Sequence, residues 1–341
     1  MFNLSPLFKL RESHTQGIVD LLEATTLGTN GARYKHLDTA ERIKEADAPL
    51  FLSMERNDKV LGNITFCQRG RNWYIRYFAF QSFLQGSDNK AKHPKGNSTL
   101  KHELGKFFDE ALNLSDSVDS MYAYIDPKND RSKWMSENFG FHKMGELATQ
   151  SFSRIHPKKS ARLSKVDDWN EIASIVRAFY GNNHYYFETH CSKPPFYVLK
   201  NEANEVVALA RTVTVHWEIV RMPGKMGGLL TKMIPYIPFL RKLIQPKNHT
   251  FLVPEIVWTK NNDAKLLTEL FEGILADQGL NLILWWTDIR NPLYKNVQSN
   301  MKWGLLHKLI GVAPVDVVQL RSKSYNHQSK EPIFVTAYDM V

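Results

Sequence analysis

The sequence has little cysteine and no long apolar run. It contains two cysteines in 341 residues, Cys67 and Cys191, and neither lies in a C-x-x-C or Cys/His ligand spacing. A disulfide framework is therefore not expected, and a reducing cytoplasm is the expected compartment. The apolar stretch 226–244 is interrupted by a lysine and two prolines, so no run reaches the roughly 18 residues of a membrane span.

Several motifs of nucleotide-binding proteins and hydrolases are also missing. The sequence has no G-x-x-x-x-G-K-[ST], no G-x-G-x-x-G and no G-x-S-x-G, which removes the usual signs of a P-loop, a dinucleotide fold and a serine hydrolase. The N-terminus lacks the pattern of a signal peptide. His184 and His190 lie near Glu188 and Cys191, but no second ligand pair follows at zinc-site spacing, and no metal is expected.

What the sequence does contain is basic charge and enough apolar material for a core. It has 44 Lys and Arg against 35 Asp and Glu, a formal charge of +9, and 43% hydrophobic residues. Its length predicts two domains, and the basic, turn-rich stretch 156–162 is the predicted boundary. We call 1–157 the first half and 158–341 the second. The basic residues are mostly scattered, so nucleic acid is not an expected partner, whereas an anionic cofactor or membrane surface stays open.

The hydrophobic periodicity predicts an α/β protein. For the first half it gives the order β-α-α-β-β-β-α-β-α-β, with strands and helices at 7–12, 13–28, 37–47, 49–70 (a hairpin), 72–84, 99–112, 119–126, 127–141 and 142–155. A similar order recurs in the second half, with elements at 167–181, 195–222 (a hairpin), 249–260, 262–279, 280–288, 291–298 and 332–340. The two halves are thus predicted to repeat one fold without obvious sequence identity.

The stretch KHPKGNSTLKHELGKFF, residues 92–108, is the first candidate for binding chemistry. The unpaired N–H groups at a helix N-terminus bind phosphate where the backbone can approach closely. Gly96 would permit that approach, and Lys92 and Lys95 would add positive charge. The alternative is a plain turn in which Ser98 caps the helix. These residues alone leave both interpretations open.

A second stretch, NDRSKWMSENFGF at residues 129–141, carries a family resemblance. Asn129, Ser132, Met135, Gly140 and Phe141 resemble the fourth helix of the GNAT acyltransferases. The pyrophosphate loop of that family, Q/R-x-x-G-x-G/A, resembles HPKGNS at residues 93–98. The resemblance covers residues 5–155, and it implies two GNAT-like domains, each with a mixed, mostly antiparallel sheet flanked by helices.

The resemblance also implies how a cofactor would bind. Acyl-CoA would lie in a V-shaped gap between the strands 74–80 and 120–126, with Asn129 beside its thiol end. The strand backbone would pair with the pantetheine arm, and the loop amides would hold the pyrophosphate. The cofactor-binding residues are then Phe78, Ala79, Phe80 and Gln81 on the strand and Lys95, Gly96, Asn97, Ser98 and Thr99 in the loop.

The proton donor is where this sequence departs from the family. The family often places a tyrosine seven residues after the helix asparagine, and Ser136 stands there in this chain. The donor is then Ser136 or a tyrosine of the neighbouring strand, Tyr122 or Tyr124, unless the thiolate leaves unassisted. The base that accepts the proton of the amine has three candidates. They are Glu55, Tyr77 and Asp126, and spacing favours none of them.

The second half resembles the same fold without its working parts. No glycine-containing basic loop separates the strand at 249–260 from the next helix, and Asp263 has the wrong charge for a phosphate. We therefore expect a degenerate GNAT-like domain that supplies a wall or a closing strand. Its insertion at 224–247 is apolar with flanking lysines. It is either a helical lid on its own domain or a segment that covers an acyl chain or contacts an anionic membrane.

Together these features predict an N-acyltransferase that moves an acyl group directly from acyl-CoA to the primary amine of a small molecule or peptide. Acetyl is the first candidate for the acyl group. One alternative is transfer of a long acyl chain to an amino acid or lipid head group. The other is a module that binds CoA or an anion without turnover. The oligomeric state stays open.

Overall fold

The structure, a computed structural model, describes residues 4–28, 32–81, 99–113, 118–222, 224, 226–323 and 330–340. In the first half it contains the predicted elements and one additional strand. These are β1 (Phe8–Arg11), α1 (Gln16–Ala24), β2 (Arg33–His36), α2 (Thr39–Arg42), β3 (Pro49–Arg56), β4 (Lys59–Arg69), β5 (Asn72–Phe80), α3 (Thr99–Asn113), β6 (Ser120–Ile125), α4 (Asp130–Asn138) and β7 (His142–Ser153). The additional strand is β2, at a position where the sequence predicts no element.

The second half repeats this alternation with more short elements. They are β8 (Leu163–Val166), α5 (Asn170–Tyr180), α6 (Glu188–Cys191), β9 (Phe196–Lys200), β10 (Val206–Arg221), α7 (Gly227–Met233), α8 (Pro238–Leu243), β11 (His249–Thr259), α9 (Ala264–Gln278), β12 (Leu282–Asp288), α10 (Pro292–Asn300), α11 (Leu305–Ile310), β13 (Ala313–Arg321) and α12 (Ala337–Met340). The predicted strand at 332–340 is wrong. That segment is irregular and ends in the helix α12, and the strand that completes a sheet is β13.

All strands of the described residues belong to one sheet of thirteen, in the order β1-β3-β4-β5-β6-β13-β7-β12-β11-β10-β9-β8, with β2 on β10. The order shows an exchange of strands between the halves. β13 of the second half lies between β6 and β7, antiparallel to both. β7 of the first half lies between β13 and β12, also antiparallel to both. The mixed, mostly antiparallel α/β architecture is confirmed, and the two predicted sheets are joined into one.

Helix α3 covers one face of the first half because its apolar side chains recur at helical spacing. Its predicted apolar face is buried against strands β4, β5 and β6, in a cluster that includes Leu104, Phe107, Phe108, Ala111, Leu112, Phe66, Trp73 and Met121. Burial of each large side chain contributes roughly 1.5–3 kcal/mol. The helix is thereby fixed over the two strands that flank the predicted gap.

The insertion at 224–247 forms two short helices, α7 and α8, that pack on their own half. Ile234, Leu243 and Ile244 are buried in a cluster with Val215 and Trp217 of β10. No helix in the described ranges is both long enough and apolar enough to cross a membrane.

Candidate active site

The two central strands β5 and β6 run parallel and then diverge. Their ladder consists of Asn72 with Ser120, Trp73 with Met121, and Tyr74 with Tyr122, and it has no further pairs. Beyond Tyr74, β5 continues its ladder with β4 as far as Phe80, while β6 continues with β13. A gap therefore opens between 75–80 and 123–125, at the position that the resemblance implied.

An irregularity of β5 lies at the start of the gap. Thr65 of β4 is opposite Tyr77 and Phe66 is opposite Ile75, so Arg76 is an extra residue in the ladder. Such a bulge bends its strand and increases the local twist. It gives a physical reason for β5 to turn away from β6 directly after Tyr74.

The predicted cofactor-binding residues of β5 follow the bulge. Phe78 is exposed, Ala79 is buried, and the ring of Phe80 lies where a side chain at Gly62 would clash. Gln81 fixes the end of the strand, since its backbone N–H donates to Leu61 at 2.8 Å and its side chain donates to Val60.

The predicted phosphate loop precedes α3. Its residues Lys95, Gly96, Asn97 and Ser98 lie outside the described residues, as does the side chain of Thr99. Helix α3 begins at Thr99 and has no acidic residue in its first turn. Its N-terminus thus carries no carboxylate there that would repel a phosphate.

The predicted family helix is α4, and Asn129 is its N-cap. The Asn129 side chain accepts a hydrogen bond of 3.1 Å from the backbone N–H of Ser132, a capping bond that fixes where the helix begins. Ser136 is buried, and its hydroxyl donates to the backbone carbonyl of Lys133 at 2.8 Å. That hydroxyl is engaged within its own helix rather than with Tyr124.

On the face of the sheet opposite α3, a cluster of tyrosines surrounds a buried carboxylate. Tyr74 donates to the backbone carbonyl of Asp339 at 2.6 Å, and Tyr124 donates to the Asp339 side chain at 3.3 Å. Arg69 donates to the same carboxylate at 2.9 Å and to the Tyr122 hydroxyl at 3.0 Å. A phenol, a carboxylate and a guanidinium are thus brought together where β5 and β6 separate.

The environment of Tyr124 keeps its phenol protonated. Burial first, and then the negative charge of Asp339, raise the pKa of Tyr124 well above its ordinary value. A protonated phenol is a hydrogen-bond donor and can act as a general acid.

Asp339 is held in place by the segment of the second half for which the sequence predicts a strand. The backbone N–H of Ile333 donates to Asp288 at 2.9 Å, and that of Ala337 donates to Glu255 at 2.7 Å. We call residues 330–340 the tail. Asp288 lies on β12 and Glu255 on β11, so the tail crosses the second half before it reaches Arg69.

A cavity of about 280 Å³ opens beside this cluster, between the two halves. Tyr338 of the tail and His190 of α6 form part of its wall, and their rings stack at 4.1 Å. His190 Nε2 lies 2.7 Å from the Asp47 carboxylate. The remaining lining comes from Arg42 and Glu45 of the first half and from Lys193, Arg211, Thr212, Val213 and Thr214 of the second.

The three predicted bases occupy different environments. Partial burial alone would raise the pKa of Glu55, but hydrogen bonds from Arg11, Lys9 and Ser53 lower it to about 2. Glu55 lies at the β1–β3 edge, away from the gap.

Tyr77 and Asp126 lie nearer the gap. Tyr77 is buried among residues of α1. Asp126 directly follows β6, is half-buried, and accepts a hydrogen bond of 2.9 Å from the backbone of Lys128. Burial is the main cause that raises the pKa of Tyr34 to about 12, and the negative charge of Asp126 is the second. Asp126 therefore lies near Tyr34 of β2.

The second half has the corresponding strands but not the corresponding site. β11 and β12 pair in parallel only at Leu252 and Ile283. Asp263 is the N-cap of α9, because its side chain accepts hydrogen bonds from the backbone N–H groups of Lys265 and Leu266. These groups are therefore already satisfied at the helix end where a phosphate would bind.

The fold is similar to those of solved acyltransferase structures. N-myristoyltransferase of Saccharomyces cerevisiae with bound myristoyl-CoA matches with a TM-score of 0.54 at 10% identity, over 98% of this chain and 91% of that one. A putative acetyltransferase from Pyrococcus horikoshii matches with a TM-score of 0.52 at 9% identity, over 98% and 96%. A GCN5-related N-acetyltransferase from Sphaerobacter thermophilus matches with a TM-score of 0.49 at 10% identity, over 94% and 97%.

No protein-family model matches the chain, and no curated protein sequence matches it. The likeness to the first two structures shows the fold, because it extends over nearly the whole of this chain. The chain has the GNAT fold in two tandem copies.

Proposed function

We propose that the protein is an N-acyltransferase that moves an acyl group, acetyl in the first place, from acyl-CoA to a primary amine. The observation that carries the proposal is the position of Tyr124, which points its phenol at the buried Asp339 where β5 and β6 diverge. The structural neighbours support it, since they are an N-myristoyltransferase and a putative acetyltransferase by description.

Acyl-CoA would lie in the gap, with its pantetheine arm along the backbone of 78–81 and its pyrophosphate on the amides of 95–99. Asn129 would flank the thiol end. In such an arrangement the strand backbone and the helix N-terminus provide the binding energy, and the gap orients the thioester.

The reaction is direct transfer. The amine nitrogen attacks the thioester carbonyl carbon, a tetrahedral intermediate forms, and the C–S bond breaks as the amide forms. Tyr124 donates its proton to the departing thiolate, which the same burial makes more basic than a thiolate in water. Asp339 accepts the proton that the amine loses and returns a proton to Tyr124 through their hydrogen bond. Asp126, at the end of β6, is the second candidate for the base, and Ser136 the second candidate for the acid.

Packing beneath the gap favours a short acyl group. The rings of Tyr74, Tyr122 and Tyr124 lie within about 6 Å of one another by their centroids, and the tail residues Tyr338 and Asp339 are buried beside them. We infer from this close packing that acetyl is the first acyl group to test.

A second candidate function is transfer of a long acyl chain. Its supporting observation is the insertion at 224–247, whose exposed side is apolar. A non-catalytic CoA-binding module is the third, and the engaged hydroxyl of Ser136 is compatible with it.

Titration calorimetry with CoA, acetyl-CoA and myristoyl-CoA separates these functions when it is followed by an assay of amine-dependent thiol release. We expect binding of acetyl-CoA and thiol release with a primary amine. Selective binding of the long chain would favour the second function, and binding without thiol release the third. Absence of CoA binding would contradict all three.

A further inference from the structure

The insertion at 224–247 has one buried and one exposed side, and the exposed side is apolar. Ile234, Leu243 and Ile244 hold it to β10. The opposite side carries the exposed side chains of Met226, Leu229, Leu230, Met233, Tyr236 and Phe239. Tyr236 is 86% exposed. Contiguous apolar patches of this kind are uncommon on soluble proteins and mark interaction surfaces.

Basic residues surround these apolar side chains. The sequence from 219 to 254 contains six Lys and Arg and no Asp or Glu. Those whose exposure the structure describes are all exposed: Arg221, Lys232, Arg241, Lys242 and Lys247. We call the six exposed apolar residues and these five basic residues the insertion surface.

An open cavity of about 610 Å³ lies within the insertion surface, between α7 and the end of β10. Three cationic side chains line it, from Arg33 of β2, Arg221 and Lys232, together with the apolar side chains of Val220, Met226 and Leu229. A cavity lined by both cationic and apolar side chains suits a molecule in which an anionic head is joined to apolar chains.

We propose that the insertion surface docks the protein onto an anionic lipid membrane. The apolar side chains would enter the boundary between head groups and acyl chains, where an aromatic ring such as that of Tyr236 is also favoured. The Lys and Arg side chains would lie at the phosphates, where each contributes about a factor of five to binding.

Charge argues against a second copy of this chain as the occupant. A two-fold dimer would place the same patch on both subunits, and two insertion surfaces would bring the cations of one against those of the other. The nearest acidic residue on β10 is Glu218, which is opposite Lys35 of β2 in the strand ladder. An anionic lipid layer supplies the complementary charge over the whole patch.

The test is co-sedimentation of the full-length protein with phosphatidylcholine vesicles, with and without phosphatidylserine, in the absence of CoA. We expect binding only to the anionic vesicles and loss of binding as salt shortens the range of the charges. Because no acyl-CoA is present, the result is independent of the proposed enzymatic function. Equal binding to neutral vesicles, or no binding to either, would overturn the proposal.

Two pairs of variants locate the surface. The double variant Arg241→Glu/Lys242→Glu should weaken binding at least about 25-fold, because two contributions of about fivefold are lost. Lys158→Glu/Lys159→Glu, at exposed positions of the predicted boundary between the halves, changes the net charge equally and should leave binding unchanged. Equal loss of vesicle binding in the two double variants would overturn the proposal.

The apolar part is tested by Leu229→Ser/Phe239→Ser, with Leu7→Ser as the control at an exposed leucine on the far edge of the sheet. We expect the first to lose vesicle binding and the second to keep it. Size-exclusion chromatography without vesicles tests the other possible occupant of the insertion surface, a second copy of this chain. A wild-type dimer that dissociates in Leu229→Ser/Phe239→Ser would show a subunit interface and overturn membrane docking.

Discussion

The phenol of Tyr124 donates a hydrogen bond of 3.3 Å to the carboxylate of Asp339, although 215 positions separate the two residues in the sequence. Tyr124 lies on β6 and Asp339 in α12 at the end of the tail. The pair lies where β5 and β6 diverge, so the donor comes from the first half and its acceptor from the second. The proposed chemistry therefore requires both halves.

Replacing Tyr124 with Phe tests the proposed proton donor. We expect Tyr124→Phe to lower kcat by about 10²–10⁴-fold, the usual contribution of a positioned acid, and to leave CoA affinity unchanged. Thiol-release kinetics and calorimetry measure the two effects. Tyr180→Phe is the matched control, because its hydroxyl donates to the carbonyl of Val257 in the second half. Unchanged kcat in Tyr124→Phe would remove this residue from the mechanism.

Arg69 and Asp339 form a buried ion pair whose stability contribution can be measured. Asp339→Asn should lower the free energy of unfolding by about 3–5 kcal/mol, since among the described residues it leaves Arg69 with Asp47 as its one acidic partner. Arg69→Met combined with Asp339→Asn should cost less than the sum of the single changes. Urea unfolding of the four proteins gives the coupling energy, and additivity within about 0.5 kcal/mol would contradict a direct interaction.

Gly96 tests the proposed phosphate loop. Gly96→Glu places a carboxylate where the pyrophosphate should bind, and we expect loss of CoA binding with an unchanged thermal unfolding midpoint. Gly105→Glu introduces the same charge within α3 at a position where an added Cβ meets open space, and it should bind CoA normally. Wild-type affinity in Gly96→Glu would show that the loop does not hold the phosphates.

His249 makes stability depend on pH. Burial lowers its pKa from 6.5 to about 4, so between these values the unfolded chain binds a proton that the folded protein does not. His249 alone should therefore lower the free energy of unfolding by about 1.4 kcal/mol for each pH unit as the pH decreases from about 6.5 to about 4.

Urea unfolding across this pH range checks the slope. His249→Gln should reduce the slope of the unfolding free energy against pH by an amount that corresponds to up to one bound proton. His156→Gln, at an exposed position between the halves, should leave it unchanged. The same slope in wild type and His249→Gln would show that another group is responsible.

The strand exchange predicts that the halves do not fold separately. A fragment of residues 1–157 lacks β13, so β6 and β7 keep unpaired edges, and such edges favour aggregation. We expect insoluble protein from either half alone and soluble protein when 1–157 and 158–341 are expressed together. A monomeric, folded fragment 1–157 would contradict this expectation.

Most helices and strands and the fold can be predicted from the sequence, because the residues that determine these elements lie close together in the chain. The apolar face of α3, the hairpin turn between β3 and β4, and the Asp263 cap each follow from residues within a few positions of one another.

Neither the buried cluster nor the strand exchange has such a signal. Arg69 and Asp339 are 270 positions apart, and only tertiary packing brings them together. The stretch 332–340 alternates like a strand, but Glu255 and Asp288 bind its backbone N–H groups in place of a neighbouring strand. β13 is likewise defined by its partners β6 and β7, which lie in the other half.

The position of β13 has a consequence for synthesis of the chain. A ribosome produces residues 1–157 long before it reaches Ala313–Arg321, and the sheet cannot close around β6 and β7 until then. While more than a hundred further codons are translated, these two strand edges must not pair with other chains. A domain whose strands are all contiguous in sequence can instead fold as it emerges from the ribosome. The proposed catalytic centre forms later still, because Asp339 is synthesised after β13.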